Sequence, residues 1–176
     1  EKRYFTSGDD TAVFELKGVS LGLVICEDLW GAQPVAQTVA AGAKLIVVIN
    51  ASPFHYDKAI EREEDVVRKQ AAEHKVPIVY VNQVGGQDEL VFDGASHVVD
   101  GNGRTVARLP AFESACLELT LEVNGKGVEP LATAISVHGS IEERIYKALV
   151  TGVRDYVEKM VLRGWCWAFR AELIRR

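Results

Sequence analysis

The chain has 176 residues, of which 48% are hydrophobic and 26% charged, the balance of an ordinary soluble globular protein with a real core. A formal net charge of −5 at pH 7, without a cluster of basic and aromatic residues, argues against a nucleic-acid-binding surface. No apolar run approaches the ~20 residues of a membrane span, no signal peptide is recognised, and the three cysteines lack metal-ligand spacing, so we expect a cytoplasmic protein without a metal site.

The first half of the chain alternates between two hydrophobic periods. Apolar residues that alternate with polar ones, or run unbroken, predict strands, whereas a spacing of three to four residues predicts helices. The predicted elements are a hairpin over residues 11–17 and 19–25, a helix over 34–41, a buried strand over 44–50, a helix over 56–74 and a strand over 77–82. This order predicts parallel strands joined by right-handed crossovers, and the acidic residues at 61–65 are interpreted as a solvated helix face.

The second half predicts antiparallel strands and one long helix. In order, the elements are a hairpin over residues 97–100 and 104–109 around the turn sequence GNG, an edge strand over 115–123, an aperiodic connection over 124–139 and a helix over 140–159. Ser140 and Glu143 have the spacing of a capping box, which predicts where the last helix begins.

A cysteine followed by two carboxylates ends the second predicted strand. Residues 26–30 read CEDLW. A turn between a buried strand and a helix can hold the Cys26 thiol exposed at the edge of a sheet, which is the geometry that a nucleophile needs. The alternative is that Cys26 is a small buried hydrophobe. On this motif alone both interpretations stay open.

Three blocks of the sequence together resemble a known family. The strand followed by CEDLW resembles the nucleophile segment of the nitrilase, or carbon-nitrogen hydrolase, superfamily. The sequence NASPFH at residues 50–55, Lys58, and YVNQVGGQDELVFDGAS at residues 80–96 are similar to the glutaminase domain of glutamine-dependent NAD synthetases. The resemblance runs from Glu1 to about Lys159 and implies an α/β fold, namely the C-terminal part of a nitrilase-type α-β-β-α sandwich.

The resemblance implies an amide-hydrolysing site. Cys26 matches the nucleophile of a Glu-Lys-Cys triad, which attacks the side-chain amide of L-glutamine, releases ammonia and leaves a glutamyl thioester. The Glu27 backbone N–H is expected to donate to the oxyanion, and Glu1 matches a supporting glutamate. Ser52 and Lys58 match the positions that hold glutamine, with Lys58 offering a cation to the α-carboxylate. The alternative for Lys58 is a solvated residue at the start of a helix.

Part of the family's triad has no match in this sequence. The family's general-base glutamate and its lysine both lie upstream of the position that matches Glu1. A thiol without a neighbouring base and lysine keeps a pKa of about 8.5 and forms little thiolate at neutral pH. Residues 1–176 alone are therefore expected to be inactive.

The resemblance also implies that the sequence is a segment of a longer protein. Residues 1–123 are expected to be part of the glutaminase domain, and residues 124–159 a connection and linker helix toward a synthetase domain. Residues 160–176 are interpreted as a tail in a shifted reading frame, because permitted codons read one nucleotide earlier spell SGGIDS, a pyrophosphate-binding loop. The segment itself is expected to need no cofactor. The longer protein would use ATP and Mg and form a homo-oligomer.

Two alternatives to the glutaminase interpretation stay open. One is a stand-alone nitrilase-type amidase that acts on another small amide. The other is a non-catalytic, decayed fragment that binds partner subunits through its sheet edge and final helix. An in-frame SGGxDS loop downstream would count against the first alternative. Labelling of Cys26 by a thiol-reactive glutamine analogue would count against the second.

Overall fold

The computed structural model describes residues 8, 10–125 and 127–159. Glu1, the predicted supporting glutamate, and residues 160–176, the predicted shifted-frame tail, lie outside the described residues. In chain order, the elements are β1 (Ala12–Leu16), β2 (Val19–Ile25), a 3₁₀ turn (Cys26–Leu29), α1 (Ala32–Ala40), β3 (Leu45–Asn50), α2 (Lys58–Ile60), a π-helical segment (Glu61–Val67), α3 (Arg68–His74), β4 (Ile78–Asn82), β5 (Val84–Gln87), β6 (Leu90–Asp93), β7 (His97–Val99), β8 (Thr105–Arg108), β9 (Leu121–Asn124), β10 (Gly127–Pro130) and α4 (Ile141–Lys159).

Six strands form one mixed sheet in the order β1-β2-β3-β4-β7-β8. β2, β3 and β4 are parallel, as the alternation of strands and helices predicted. β1, β7 and β8 are antiparallel and lie toward the two edges. Because the three central strands run in one direction, their carboxyl ends at Ile25, Asn50 and Asn82 meet at the same end of the sheet.

Helices cover one face of this sheet. α1 packs there beside the continuous helical stretch formed by α2, the π-helical segment and α3. The side chains sealed between these helices and the strands include Leu29, Val35, Ile46, Val48, Val67, Ala71, Ile78, Tyr80 and Val99. Burying one large aliphatic side chain contributes about 1.5–3 kcal/mol. The main hydrophobic core therefore lies between the sheet and its helices.

The described residues cover the opposite face only in part. The β9–β10 hairpin packs on the amino-terminal ends of β2 and β3, and Leu117 and Leu119 pack beside β7 and β8. At the carboxyl ends of the strands, Ile25, Ile49 and Val81 lie side by side and remain 61%, 52% and 43% exposed. We call these three residues the apolar row.

Three sequence predictions differ from the structure. Residues 115–120 form no strand. Their apolar and polar residues alternate because Leu117 and Leu119 pack on the sheet, and the segment does not pair with a neighbouring strand. Residues 124–139 are more than a connection, since β10 pairs with β9. β5 and β6 form a hairpin that the sequence did not predict, because Gly85 and Gly86 are poor strand formers.

α4 packs on the β5–β6 hairpin. The Asp155 carboxylate accepts the Gly86 N–H at 2.7 Å, and the Lys159 ammonium donates to the Gly86 carbonyl at 2.5 Å. The helix begins as predicted, with the Ser140 hydroxyl accepting the Glu143 N–H at 3.2 Å. No helix in the described part of the chain has both the length and the apolar character that crossing a membrane requires.

Candidate active site at the carboxyl end of the sheet

Cys26 occupies a strained turn directly after β2. Its φ of +45° is in the left-handed region, which residues with a side chain seldom adopt. The Asp28 carboxylate accepts the Ile25 N–H at 3.1 Å, and Leu29 anchors the turn in the core. Cys26 itself is half-buried. A strained turn that leads from a strand into a helical segment is the geometry of a nucleophile elbow. The structure thus places the thiol where the sequence predicted it, and its catalytic role stays a prediction.

Glu27 follows Cys26 in the 3₁₀ turn. Its side chain is exposed, and its carbonyl accepts the Trp30 N–H at 3.0 Å. The first N–H groups of a helical turn have no acceptor inside that turn. The Glu27 N–H could therefore donate to an oxygen that develops charge beside Cys26, and this role stays a prediction.

Ser52 and Lys58 lie on the chain segment that leaves β3. Ser52 is buried, with 5% of its surface exposed. The Lys58 ammonium lies 3.9 Å from the centroid of the Trp30 ring and 3.3 Å from the Glu61 carboxylate. Because Trp30 ends the turn that begins at Cys26, this cation–π contact brings Lys58 to the nucleophile segment. Lys58 begins α2, as the alternative interpretation has it, but these two contacts hold its ammonium beside the nucleophile segment, and its role in binding stays a prediction.

Two buried side chains hold the Ser52 backbone. The Asn82 side-chain oxygen accepts the Ser52 N–H at 2.9 Å, and its amide nitrogen donates to the Ser52 carbonyl at 3.3 Å. Arg62 donates to the same carbonyl at 3.2 Å. Arg62 also forms an ion pair with Asp93, at 2.7 and 2.5 Å from its two oxygens, and both side chains are 2% exposed. Sequence reasoning assigned no role to Arg62 or Asn82, and it interpreted Asp93 as part of a turn or of the pocket lining.

The π-helical segment carries a second buried ion pair. Glu63 accepts hydrogen bonds from Arg108 at 2.8 Å and from Thr105 at 2.6 Å, and it lies 3.3 Å from His138. Burial raises the pKa of Glu63, but the hydrogen bonds from His138, Arg108 and Thr105 outweigh it and hold this pKa well below its usual range. The interpretation of residues 61–65 as a solvated face is therefore wrong at Glu63.

The rings of Tyr80 and His97 stack on the helix-covered face of the sheet, near the two buried ion pairs. Their ring centroids are 4.9 Å apart. Burial raises the pKa of Tyr80 to about 12, and the nearby Arg62 charge opposes this shift only in part. Burial lowers the pKa of His97 to about 4, so its ring is neutral at pH 7. Among the described residues, no group of three His, Cys, Asp or Glu side chains could hold a metal ion.

The chain is similar to carbon-nitrogen hydrolases in sequence and structure. The family model for carbon-nitrogen hydrolase matches residues 1–125. The glutamine-dependent NAD(+) synthetase of Xylella fastidiosa (strain Temecula1 / ATCC 700964) is 42% identical over 161 residues, which are 90% of this chain and 29% of that relative. The corresponding synthetase of Aquifex aeolicus (strain VF5) is 38% identical over 189 residues, covering 90% of this chain and 33% of that relative.

Solved structures give the same assignment. The glutamine-dependent NAD+ synthetase from Acinetobacter baumannii, in complex with adenosine diphosphate, superposes with a TM-score of 0.78 and 36% identity over 89% of this chain and 29% of that chain. An amidase of the nitrilase superfamily from Nesterenkonia AN1 superposes with a TM-score of 0.56 and 28% identity over 62% of this chain and 41% of that chain. The chain thus spans about a third or less of the length of the synthetases that it matches.

Proposed function

The chain belongs to the carbon-nitrogen hydrolase family, and from this membership we propose that it is the glutaminase portion of a glutamine-dependent NAD(+) synthetase. In this proposal it hydrolyses the side-chain amide of L-glutamine and supplies ammonia for the amidation of nicotinic acid adenine dinucleotide. The observation that carries the proposal is that the strained Cys26 turn, Ser52 and Lys58 lie at the same end of the sheet. The similarity to the synthetases is the second support.

The proposed reaction proceeds through a thioester. The Cys26 thiolate attacks the amide carbon of glutamine, and the Glu27 N–H donates to the oxyanion. The carbon–nitrogen bond then breaks, the nitrogen takes a proton and ammonia leaves, so that a glutamyl thioester remains on Cys26. Water attacks this thioester and yields glutamate and the thiol. Lys58 pairs with the α-carboxylate of the substrate, and the Ser52 hydroxyl binds a polar group.

The proposal includes the organisation of a longer protein. In the family that the chain resembles, the positions of the general base and its lysine precede the one matching Glu1, so residues 1–176 alone should release no ammonia from glutamine. Residues 1–123 would belong to the glutaminase domain, and residues 124–159 would lead toward a synthetase domain that uses ATP and Mg. A cytoplasmic homo-oligomer and a shifted frame over residues 160–176 are further parts of this proposal, and the DNA sequence tests the last of them.

Covalent labelling tests the proposed substrate. A chloroketone analogue of L-glutamine is added to the 176-residue chain at pH 8.5, and modified cysteines are identified by mass spectrometry. Labelling at Cys26 should exceed that at Cys116, whose exposed thiol serves as the internal control. L-Glutamine should suppress labelling of Cys26, whereas D-glutamine should not. Equal labelling of both cysteines, or no protection by L-glutamine, would contradict the proposal.

The same experiment separates the proposal from a stand-alone amidase. The structural similarity to the Nesterenkonia amidase favours this second candidate. Lys58 argues against it, because a small simple amide has no carboxylate with which this ammonium could pair. Protection of Cys26 by butyramide at lower concentrations than by L-glutamine would support the amidase and count against the glutaminase.

A further inference from the structure

We infer that the buried ion pair of Arg62 and Asp93 is a positioning device for Ser52, which fixes where the substrate binds. The inference rests on the proposed function, since it takes Ser52 as a glutamine-binding residue. Arg62 comes from the π-helical segment, and Asp93 ends β6, 31 residues further along the chain. The ion pair therefore links the π-helical segment to the β5–β6 hairpin beside Ser52, which lies on the segment after β3.

The first support is the grip on the Ser52 backbone. Its carbonyl accepts from Arg62 at 3.2 Å and from Asn82 at 3.3 Å, and its N–H donates to Asn82 at 2.9 Å. Asp93 holds both of these side chains, because Asn82 also donates to the Asp93 carboxylate at 3.3 Å. Both polar groups of the Ser52 backbone are thus fixed, and its side-chain hydroxyl lies beside the buried Tyr80.

The second support is the geometry of arginine. Its planar guanidinium presents several donors in a rigid fork, and here that fork reaches the Ser52 carbonyl and both oxygens of Asp93 at once. A lysine ammonium is a point charge on a flexible stem, so it could pair with Asp93 without fixing Ser52. The specific function of Arg62 is therefore to orient the Ser52 backbone relative to Asp93, which its charge alone would not do.

The third support is energetic. Two buried charges lose their hydration, and replacing such a pair by apolar residues of similar size is often neutral or stabilising. Arg62 and Asp93 are each 2% exposed, so their pairing contributes little net stability compared with an apolar substitute. A positioning role accounts for a buried ion pair at the backbone of a proposed substrate-binding residue.

The neighbouring residue supplies a matched control. Glu63 is buried in the same π-helical segment and is also ion-paired, but its partners are Arg108, Thr105 and His138 on the other side of the segment. π-Helical geometry is rare and is frequently found at functional sites. Here it is found where the consecutive residues Arg62 and Glu63 both point into the protein. Loss of the Glu63 pair disturbs this segment without removing a contact to Ser52.

The test measures how L-glutamine protects Cys26 from alkylation by iodoacetamide in the 176-residue chain. The variants are Arg62→Lys, the double variant Arg62→Met with Asp93→Leu, and the control Glu63→Gln. The glutamine concentration for half-protection should rise about tenfold or more in the first two, because displaced binding groups lose most of their effect. It should stay within about twofold of the unsubstituted chain in Glu63→Gln. The alkylation rate without glutamine should be the same in all four proteins.

Each outcome decides between the two proposals. Half-protection at unchanged glutamine concentrations in Arg62→Lys and in the double variant would overturn the positioning role while leaving the proposed function intact. Equal weakening in Glu63→Gln would also overturn it, since any disturbance of the helix would then suffice. No protection of the unsubstituted chain by glutamine would overturn the proposed function, and the positioning role with it. The double variant leaves no buried charge unpaired, so denaturant unfolding should show it folded.

Discussion

The two faces of the six-stranded sheet differ in how completely the described residues cover them. On the helix-covered face, Ile46 has no exposed surface, whereas Ile49, three residues later on the same strand, is 52% exposed on the opposite face. The apolar row of Ile25, Ile49 and Val81 ends beside the Cys26 turn. The comparison teaches that packing on the helix-covered face stabilises the strands, while the candidate nucleophile lies at the border between this core and the face that the described residues leave exposed.

The largest expected effect comes from substituting the same residue type on the two faces. Ile46→Ala should lower the free energy of unfolding by about 2–5 kcal/mol, because it leaves a cavity among helices and strands. Ile49→Ala should lower it by less than about 1 kcal/mol, since its side chain is half in solvent. Urea unfolding of both variants measures the difference. Equal losses would break the comparison and mean that both faces are packed.

A second prediction sharpens the comparison through pH. His97 is buried on the helix-covered face and its pKa is lowered to about 4 by desolvation, while in the unfolded chain it is near 6.5. Between these two values the unfolded state binds more protons, so the free energy of unfolding should fall as pH decreases from about 6.5 to about 4. The contribution of His97 is on the order of 2–3 kcal/mol.

His97→Phe is the variant that isolates this contribution. Phenylalanine keeps an aromatic ring against Tyr80 and cannot take up a proton. Urea unfolding between pH 4 and 7 should therefore show a smaller decrease than in the unsubstituted chain. The remaining decrease should occur toward the acidic end, because the stabilising contribution of the Glu63 carboxylate is complete above its unfolded pKa and is lost progressively as pH falls below it. An identical pH profile would contradict the assignment to His97.

A third prediction concerns the boundary between the two faces. Cys26 holds a φ of +45°, which costs a residue with a side chain about 1–2 kcal/mol and costs glycine almost nothing. Cys26→Gly should therefore unfold with a free energy about 1 kcal/mol higher than Cys26→Ala, since both variants lack the thiol. Denaturant unfolding of the pair measures this strain directly. A glycine variant less stable than the alanine variant would contradict a strained turn.

The sequence predicted the helix-covered face better than the site beside it. Hydrophobic periodicity identified the three parallel strands, and the CEDLW motif placed a turn at Cys26, because both depend on residues close together in the chain. Family resemblance added Ser52 and Lys58, which periodicity alone does not mark. The proximity of Lys58 to the nucleophile segment became visible only through its contact with Trp30.

Arg62 and Asp93 show why the rest could not be predicted. Arg62 lies in a charged run that is typical of a solvated helix, and its partner is 31 residues away on an unpredicted hairpin. No local pattern reveals that a charge will be buried when its neutralising partner comes from a distant element. The glycines of β5, which do not predict a strand, are also explained by a distant element. A Cβ atom at Gly86 would lie 3.1 Å from the backbone of Gly152 in α4.

The smallest effect on stability is expected from the apolar row itself. Replacing Ile25, Ile49 and Val81 one at a time by Ser should lower the free energy of unfolding by about 1 kcal/mol or less each, because about half of each side chain stays in water on folding. The triple variant should bind less of the dye 1-anilinonaphthalene-8-sulfonate, which reports exposed apolar surface. Val48→Ser, on the helix-covered face, is the matched control and should unfold the protein or raise dye binding. A triple variant that lost several kcal/mol would show that the row is packed against another part of the chain, and the Cys26 turn would then lie at a closed interface.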